Sequence, residues 1–251
     1  MNYRKNFRLI GDVLLIESIL LITPIIVAVV LHEYSEILPF VYTVVVTACL
    51  GFVLKNIPIK TEQILAKDGF FIVTMSWLVM SLIGAMPYIF SSHGISNYVD
   101  ALFETISGFT TTGSTILPDP SVLSKTLLFW RALTQWMGGM GGLVFMIALV
   151  PLSNDNSMHV LRAEMAGPSI DKIVPRTRDM AVWMYGIYTF LTLSELICLC
   201  ISGVDFYDAL LHTLTTAATG GFSTHSASIA DLANPAAEWI ITIFMFLFGI
   251  N

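Results

Sequence analysis

Two short uncharged stretches say most about chemistry: Thr111-Thr112-Gly113-Ser114 and Thr219-Gly220-Gly221-Phe222. Neither contains an acid or a base. What they offer is oxygen, from backbone carbonyls that glycine can turn into conformations closed to other residues and from hydroxyls. A ring of such neutral oxygens can replace the water shell of a weakly hydrated monovalent cation, as potassium filters do. Lacking carboxylates, the stretches suit a divalent cation poorly. The residues placed on such a cation, potassium by the filter precedent with sodium left open, are Thr111, Thr112, Gly113, Thr219, Gly220 and Gly221, with Ser114 and Phe222 completing the filter strands.

The stretches belong to a repeat. The segment 100–113 aligns with 208–221 at a constant offset of 108, with Asp, Ala, Leu, two Thr and a Gly identical. Similarity at fixed offset marks a repeated structural unit, and transporters are often built from internal repeats. Each copy opens with a helix-like stretch of about 10–12 residues, too short to cross a bilayer. Asp100 and Asp208 fall in its first turn, where a carboxylate is favoured. A short helix ending in a Gly-rich turn between two apolar segments outlines a re-entrant pore loop. Irregular backbone at membrane depth survives only where protein buries it or it lines a watery path. A single Gly/Thr stretch reads equally well as a surface turn; two at one offset favour the pore loop.

The elements that must position these loops follow from composition. Hydrophobic residues make up 55% of the chain, charged residues 12%, and mean hydropathy is +0.78. Soluble domains carry about 25% charged residues. Apolar segments of membrane length lie at about 9–31, 38–54, 69–90, 126–151, 180–202 and 236–251. The expected fold is therefore an all-α polytopic membrane protein, with two N-terminal transmembrane helices followed by span–pore loop–span repeats of potassium-channel type. Its expected divisions are 1–68 for the N-terminal pair, 69–151 for the first repeat, 152–179 for a cytoplasmic linker and 180–251 for the second repeat. The last apolar segment runs to the end of the sequence, so the chain reads as part of a longer protein. The first reads as a retained span rather than a cleaved leader, because no small-residue cleavage site follows it.

Charge placement gives the expected orientation. Of twelve Lys and Arg, ten are Arg4, Lys5, Arg8, Lys55, Lys60, Lys67, Arg162, Lys172, Arg176 and Arg178, all on alternate connections. The positive-inside rule puts these connections and the N-terminus in the cytoplasm. The filter loops then open to the outside. Cys49, Cys198 and Cys200 lie in apolar segments without a paired spacing and read as small hydrophobes.

The motif 107–115 (Ser-Gly-Phe-Thr-Thr-Thr-Gly-Ser-Thr), with Ala218-Thr219-Gly220-Gly221-Phe222-Ser223-Thr224, resembles the Trk/Ktr/HKT superfamily of cation transporters. The extra pair of spans and the run 161–168, continuing to Pro175-Arg176-Thr177-Arg178, resemble its TrkH branch. The resemblance implies four span–loop–span repeats around one pore, with one filter glycine from each. On this chain two of the four are present, and their glycines are Gly113 and Gly221. It also implies potassium uptake across the bacterial inner membrane, a homodimer in membrane lipid, and a TrkA-type nucleotide-binding regulatory subunit meeting the 152–179 loop. No covalent cofactor and no nucleic acid enter the reading; potassium is cargo.

Several other residues carry two readings each. Glu104 and His212, at equivalent repeat positions, suit ion attraction or a hydrogen bond that fixes the short helix. Arg131 suits snorkelling, or a pair with a loop carboxylate such as Glu104 that supports the filter. Gly138, Gly139, Gly141 and Gly142 interrupt the fourth span. They suit either close helix packing or a gating hinge. Other functions also remain open: a sodium- or proton-coupled symporter using the same loops, a receptor or assembly subunit, or a non-conducting intramembrane hydrolase. The hydrolase would use Ser223 near His225, although no GxSxG elbow surrounds them.

Overall fold

A computed structural model of the chain describes residues 3–59, 66–141 and 177–250. Every regular element among them is helical. Helices α1 (Tyr3–Leu20) and α2 (Ile22–Val30) form one span, broken at Leu21 just ahead of Pro24. Helix α3 (Tyr34–Lys55) returns alongside it. Helices α4 (Ala66–Gly84) and α5 (Met86–Phe90) make the next span, with a break at Ala85 before Pro87. The short α6 (Tyr98–Phe109) and α7 (Lys125–Gly139) complete the first repeat. The second contains α8 (Thr177–Ile201), the short α9 (Phe206–Ala217) and α10 (Pro235–Gly249).

Four of these reach span length and apolarity: Tyr3–Val30, Tyr34–Lys55, Asp68–Phe90 and Ala181–Ile201. The first two start earlier than the sequence suggested. Pro39 lies inside α3 rather than at its start, where its ring removes one helical hydrogen bond and crowds the Ser35 carbonyl. The segment expected at 126–151 is described only to Gly141, and its helix stops at Gly139. Gly142, most of the expected 152–179 linker and the run 161–168 lie outside the described residues, as does Lys60.

The packing follows from a solvent that accepts apolar surface. Trp183, Phe190 and Phe246 are exposed, while Asn6, Thr43, Thr47 and Gln135 are fully enclosed. Trp130 forms the wedge that seats the first short helix. Its ring meets Phe40 and Phe109 edge-on at 6.2 and 6.3 Å, and its indole N–H donates to the Gly84 carbonyl at 2.9 Å. At one end of the bundle Asn6 donates to Asp68 at 3.0 Å and Lys55 pairs with Asp12 at 3.0 Å.

At the other end the N-terminal pair is tied to the first repeat by a borrowed cap. Glu33, in the turn before α3, accepts from the Lys125 and Thr126 amides at 3.1 and 2.9 Å and from the Thr126 hydroxyl at 2.7 Å. A carboxylate there satisfies orphan amides and complements the helix dipole. Glu33→Ala is expected to cost about 2 kcal/mol of stability, read as a lower thermal midpoint of the full-length protein in detergent. Glu33→Gln should recover part of it.

Candidate ion filter

The repeat seen in the sequence is a repeat in geometry. Helices α6 and α9 each have 12 residues and sit at the same offset of 108. Asn97 caps the first, its side chain accepting from the Val99 amide at 3.1 Å; Asp205 caps the second, accepting from the Tyr207 amide at 3.0 Å. Asp100 and Asp208 occupy the first turns. The caps were missed in the sequence, though an Asn and an Asp just ahead of a short amphipathic run are the usual signal.

Both helices end in the same Schellman motif. In the first, the Thr111 amide bonds to the Gly108 carbonyl at 2.9 Å and the Thr112 amide to the Ser107 carbonyl at 3.0 Å. In the second, Thr219 bonds to Thr216 at 2.8 Å and Gly220 to Thr215 at 2.9 Å. The left-handed position is Thr111 (φ 54°) in one loop and Thr219 (φ 51°) in the other. A β-branched residue is an outlier there, and such strain costs on the order of 1–3 kcal/mol and concentrates at functional sites. Two residues on, Gly113 (φ 72°) and Gly221 (φ 83°) turn the chain again.

The two loops meet. A Cβ on Gly113 would lie 1.8 Å from the Gly220 carbonyl oxygen, so the strands touch backbone to backbone. Thr112, Ser114, Thr219 and Gly221 are exposed; Thr111 and Gly113 are half-buried, and Gly220 and Phe222 are buried. The Phe222 ring packs beneath Arg131, with the guanidinium carbon 3.5 Å from the ring centre. Its contribution to the open side is therefore backbone.

Arg131 joins the repeats. Its Nε donates to Glu104 at 3.0 Å, and its Nη1 donates to the Ser223 carbonyl at 2.9 Å, just beyond the second strand. Arg131 and Glu104 are both fully enclosed. Glu104 also accepts from the Thr115 hydroxyl at 2.5 Å, which fixes the strand leaving the first loop. His212, at the position equivalent to Glu104, is buried, and Thr215 donates to its carbonyl. The position equivalent to Arg131 is Trp239, exposed on α10, so the brace is not repeated.

Beneath the loops, the glycines of α7 allow close approach. A Cβ on Gly138 would stand 2.1 Å from the Phe109 carbonyl oxygen, and one on Gly139 2.7 Å from the Ala218 Cα. One residue pair thus seats the ends of both short helices. Gly141 takes φ 70°, ending the described part of this segment.

Sequence reasoning overlooked Gln135, one turn after Arg131 on the same helix face. Its side chain is enclosed against Gly220, and its Oε1 accepts from the Phe222 amide at 3.2 Å. A lone amide in an apolar segment, four residues from a buried arginine, was the available signal. Around Ser223 the geometry is structural: its hydroxyl accepts from the His225 amide at 3.1 Å, while the His225 ring faces Asp208 at 3.5 Å.

The loops are also tied where they leave the site. Asp119 accepts from the Ser121 amide at 3.0 Å and from the Ser226 hydroxyl at 2.9 Å. Hydrogen bonds from Ser121 and Ser226 hold its carboxyl below the ordinary value of 3.8. A depressed carboxyl stabilises above its ordinary pKa and loses that contribution as pH falls through the lowered value. Asp119→Ala is therefore expected to raise protease cutting within 114–123 at pH 7. In the wild type the same increase should appear only in strong acid.

Two equivalent helix–loop units, meeting backbone to backbone inside a bundle of membrane-length helices, define a pore-loop membrane protein. The family described as a cation transport protein, TrkH, matches residues 33–251. The Trk system potassium uptake protein TrkH of Escherichia coli K12 is 37% identical over the whole chain, which covers 52% of that relative. TrkG of the same organism is 33% identical over 96% of the chain and 50% of its own length. The crystal structure of the potassium transporter TrkH from Vibrio parahaemolyticus superposes with a TM-score of 0.82 at 31% identity, over 98% of this chain and 50% of that one. This chain belongs to the TrkH family, a family of transporters rather than enzymes. It spans about half the length of the relatives it matches.

Proposed function

We propose that the chain supplies two of the pore repeats of a potassium-uptake subunit, with the cation passing the open side of the paired loops. The observation that carries this is the backbone contact of two loops of matching turn geometry, Gly113 against Gly220, in strands that offer only uncharged oxygens. The names of the relatives, a Trk system potassium uptake protein and a potassium transporter, supply the ion. Thr111, Thr112, Gly113, Ser114, Thr219, Gly220, Gly221 and the Phe222 backbone form the path. Glu104, Arg131 and His212 support it, and the α7 glycines seat the short helices. The divisions at 1–68, 69–151, 152–179 and 180–251 belong to this reading.

The biased placement of Lys and Arg supports a cytoplasmic N-terminus in the bacterial inner membrane. That orientation makes the 152–179 connection the contact for a TrkA-type nucleotide-binding partner, with the full-length subunit pairing as a homodimer. The test is rubidium uptake by the full-length protein in cells stripped of their own potassium uptake, with the regulatory partner co-expressed. Uptake that potassium competes away is expected. A well-inserted protein giving none would sink the reading. Reversal potentials from the same protein in bilayers separate passive flux from sodium or proton coupling.

A further inference from the structure

The peptide between Gly221 and Phe222 is held from behind. Gln135 Oε1 accepts its N–H at 3.2 Å from within a fully enclosed position on α7. In a trans peptide the N–H and the C=O point in opposite directions. A bond that draws the Phe222 N–H back toward α7 therefore aims the Gly221 carbonyl away from it, toward the open side. Gly221 itself is exposed, with nothing within 4 Å of the place a Cβ would occupy. Glycine has few steric limits on its dihedrals, so little else at that residue opposes rotation of the peptide plane. The same Gln135 amide packs on Gly220, and its Nε2 lies 3.6 Å from the Cβ position of Gly113. It thus stands behind both strands.

We infer that Gln135 is a positioning residue that latches the Gly221–Phe222 peptide with its carbonyl facing the cation path, and so sets cation preference at the second loop. The inference rests on the proposed function and adds a residue to it. With the latch gone, the peptide plane is free to turn its N–H to the path, presenting a positive dipole end to the cation. The latch serves one loop only. Its equivalent by the 108-residue offset is Ile243, an exposed residue on α10 that has no acceptor to give.

The full-length protein with Gln135→Leu, Gln135→Met or Gln135→Glu provides the test, by two readouts. The first is the preference for potassium over sodium in competing rubidium uptake, at matched membrane levels. Leu, which cannot accept, and Met, whose thioether accepts only weakly, should lower it roughly threefold to tenfold, the range one hydrogen bond supplies. Glu keeps an acceptor oxygen and should lose less preference than Leu or Met. The second is hydrogen exchange across residues 219–223, which needs no transport: the Phe222 amide should exchange faster with Leu or Met, and slowly with Glu. Unlatched exchange with unchanged preference, or unchanged exchange with Leu or Met, would overturn the inference. A wild type that transports nothing would instead strike the proposed function, and the exchange readout would still decide the latch. If Leu is poorly inserted, the unbranched Met variant decides by the same criteria.

Discussion

Gly113→Ala abolishes rubidium uptake by the full-length protein while leaving its membrane level intact; this is the expected result. Two effects combine at the position. The added Cβ falls 1.8 Å from the Gly220 carbonyl oxygen, and the atom it meets is backbone that cannot swing aside. The φ of 72° is also one that an L side chain rarely adopts. Gly221→Ala gives the internal comparison. Its φ of 83° carries the same strain, about 1–3 kcal/mol, but the new methyl meets nothing within 4 Å. Uptake should therefore fall by roughly tenfold at Gly221, since each 1.4 kcal/mol is a factor of ten, and beyond detection at Gly113. Gly113→Asp, which adds a carboxylate to the same collision, should match Gly113→Ala. Uptake normalised to surface-labelled protein measures the contrast. Equal losses at the two glycines would show that their contact is not what matters, and normal uptake in Gly113→Asp would remove the filter assignment.

The contrast between Gly113 and Gly221 shows how far the sequence could be read. The repeat and its offset were legible as residue identities, and Gly113 and Gly221 were legible as turning residues because positive φ favours glycine. The left-handed Thr111 and Thr219 go against local preference, so their turn could not be read from residue type. Apolar length marked the spans. What pattern cannot carry is which loop touches which. Both glycines look alike in sequence, yet one is pressed against its neighbour and the other is open. Partners drawn from distant segments were hidden too: Glu33 capping α7 across 92 residues, and Ser223 accepting from Arg131 across another 92. The glycines of α7 were legible only as an interruption. Their packing against Phe109 and Ala218 needed both short helices to be placed first.

Arg131 carries the second large effect, because it has two roles that can be separated. As a charge, it neutralises Glu104 in a place neither group shares with solvent. Removing one member of such a pair strands the other and costs about 3–5 kcal/mol, whereas replacing both by apolar groups of similar volume is often neutral. As a brace, it reaches from the first repeat to the Ser223 carbonyl and covers the Phe222 ring. Nothing apolar can replace the first of those contacts. Arg131→Met should therefore lower the thermal midpoint sharply and abolish uptake. Adding Glu104→Leu to it should restore much of the thermal midpoint, because no buried charge is then left alone, yet uptake should stay absent with the second strand unbraced. Glu104→Gln alone, which keeps an acceptor for the Arg131 Nε–H and leaves the Ser223 contact in place, should retain partial uptake. If the double variant regained both stability and uptake, Arg131 would be only the counter-charge of Glu104, and the bond to Ser223 would have no part in holding the loops together.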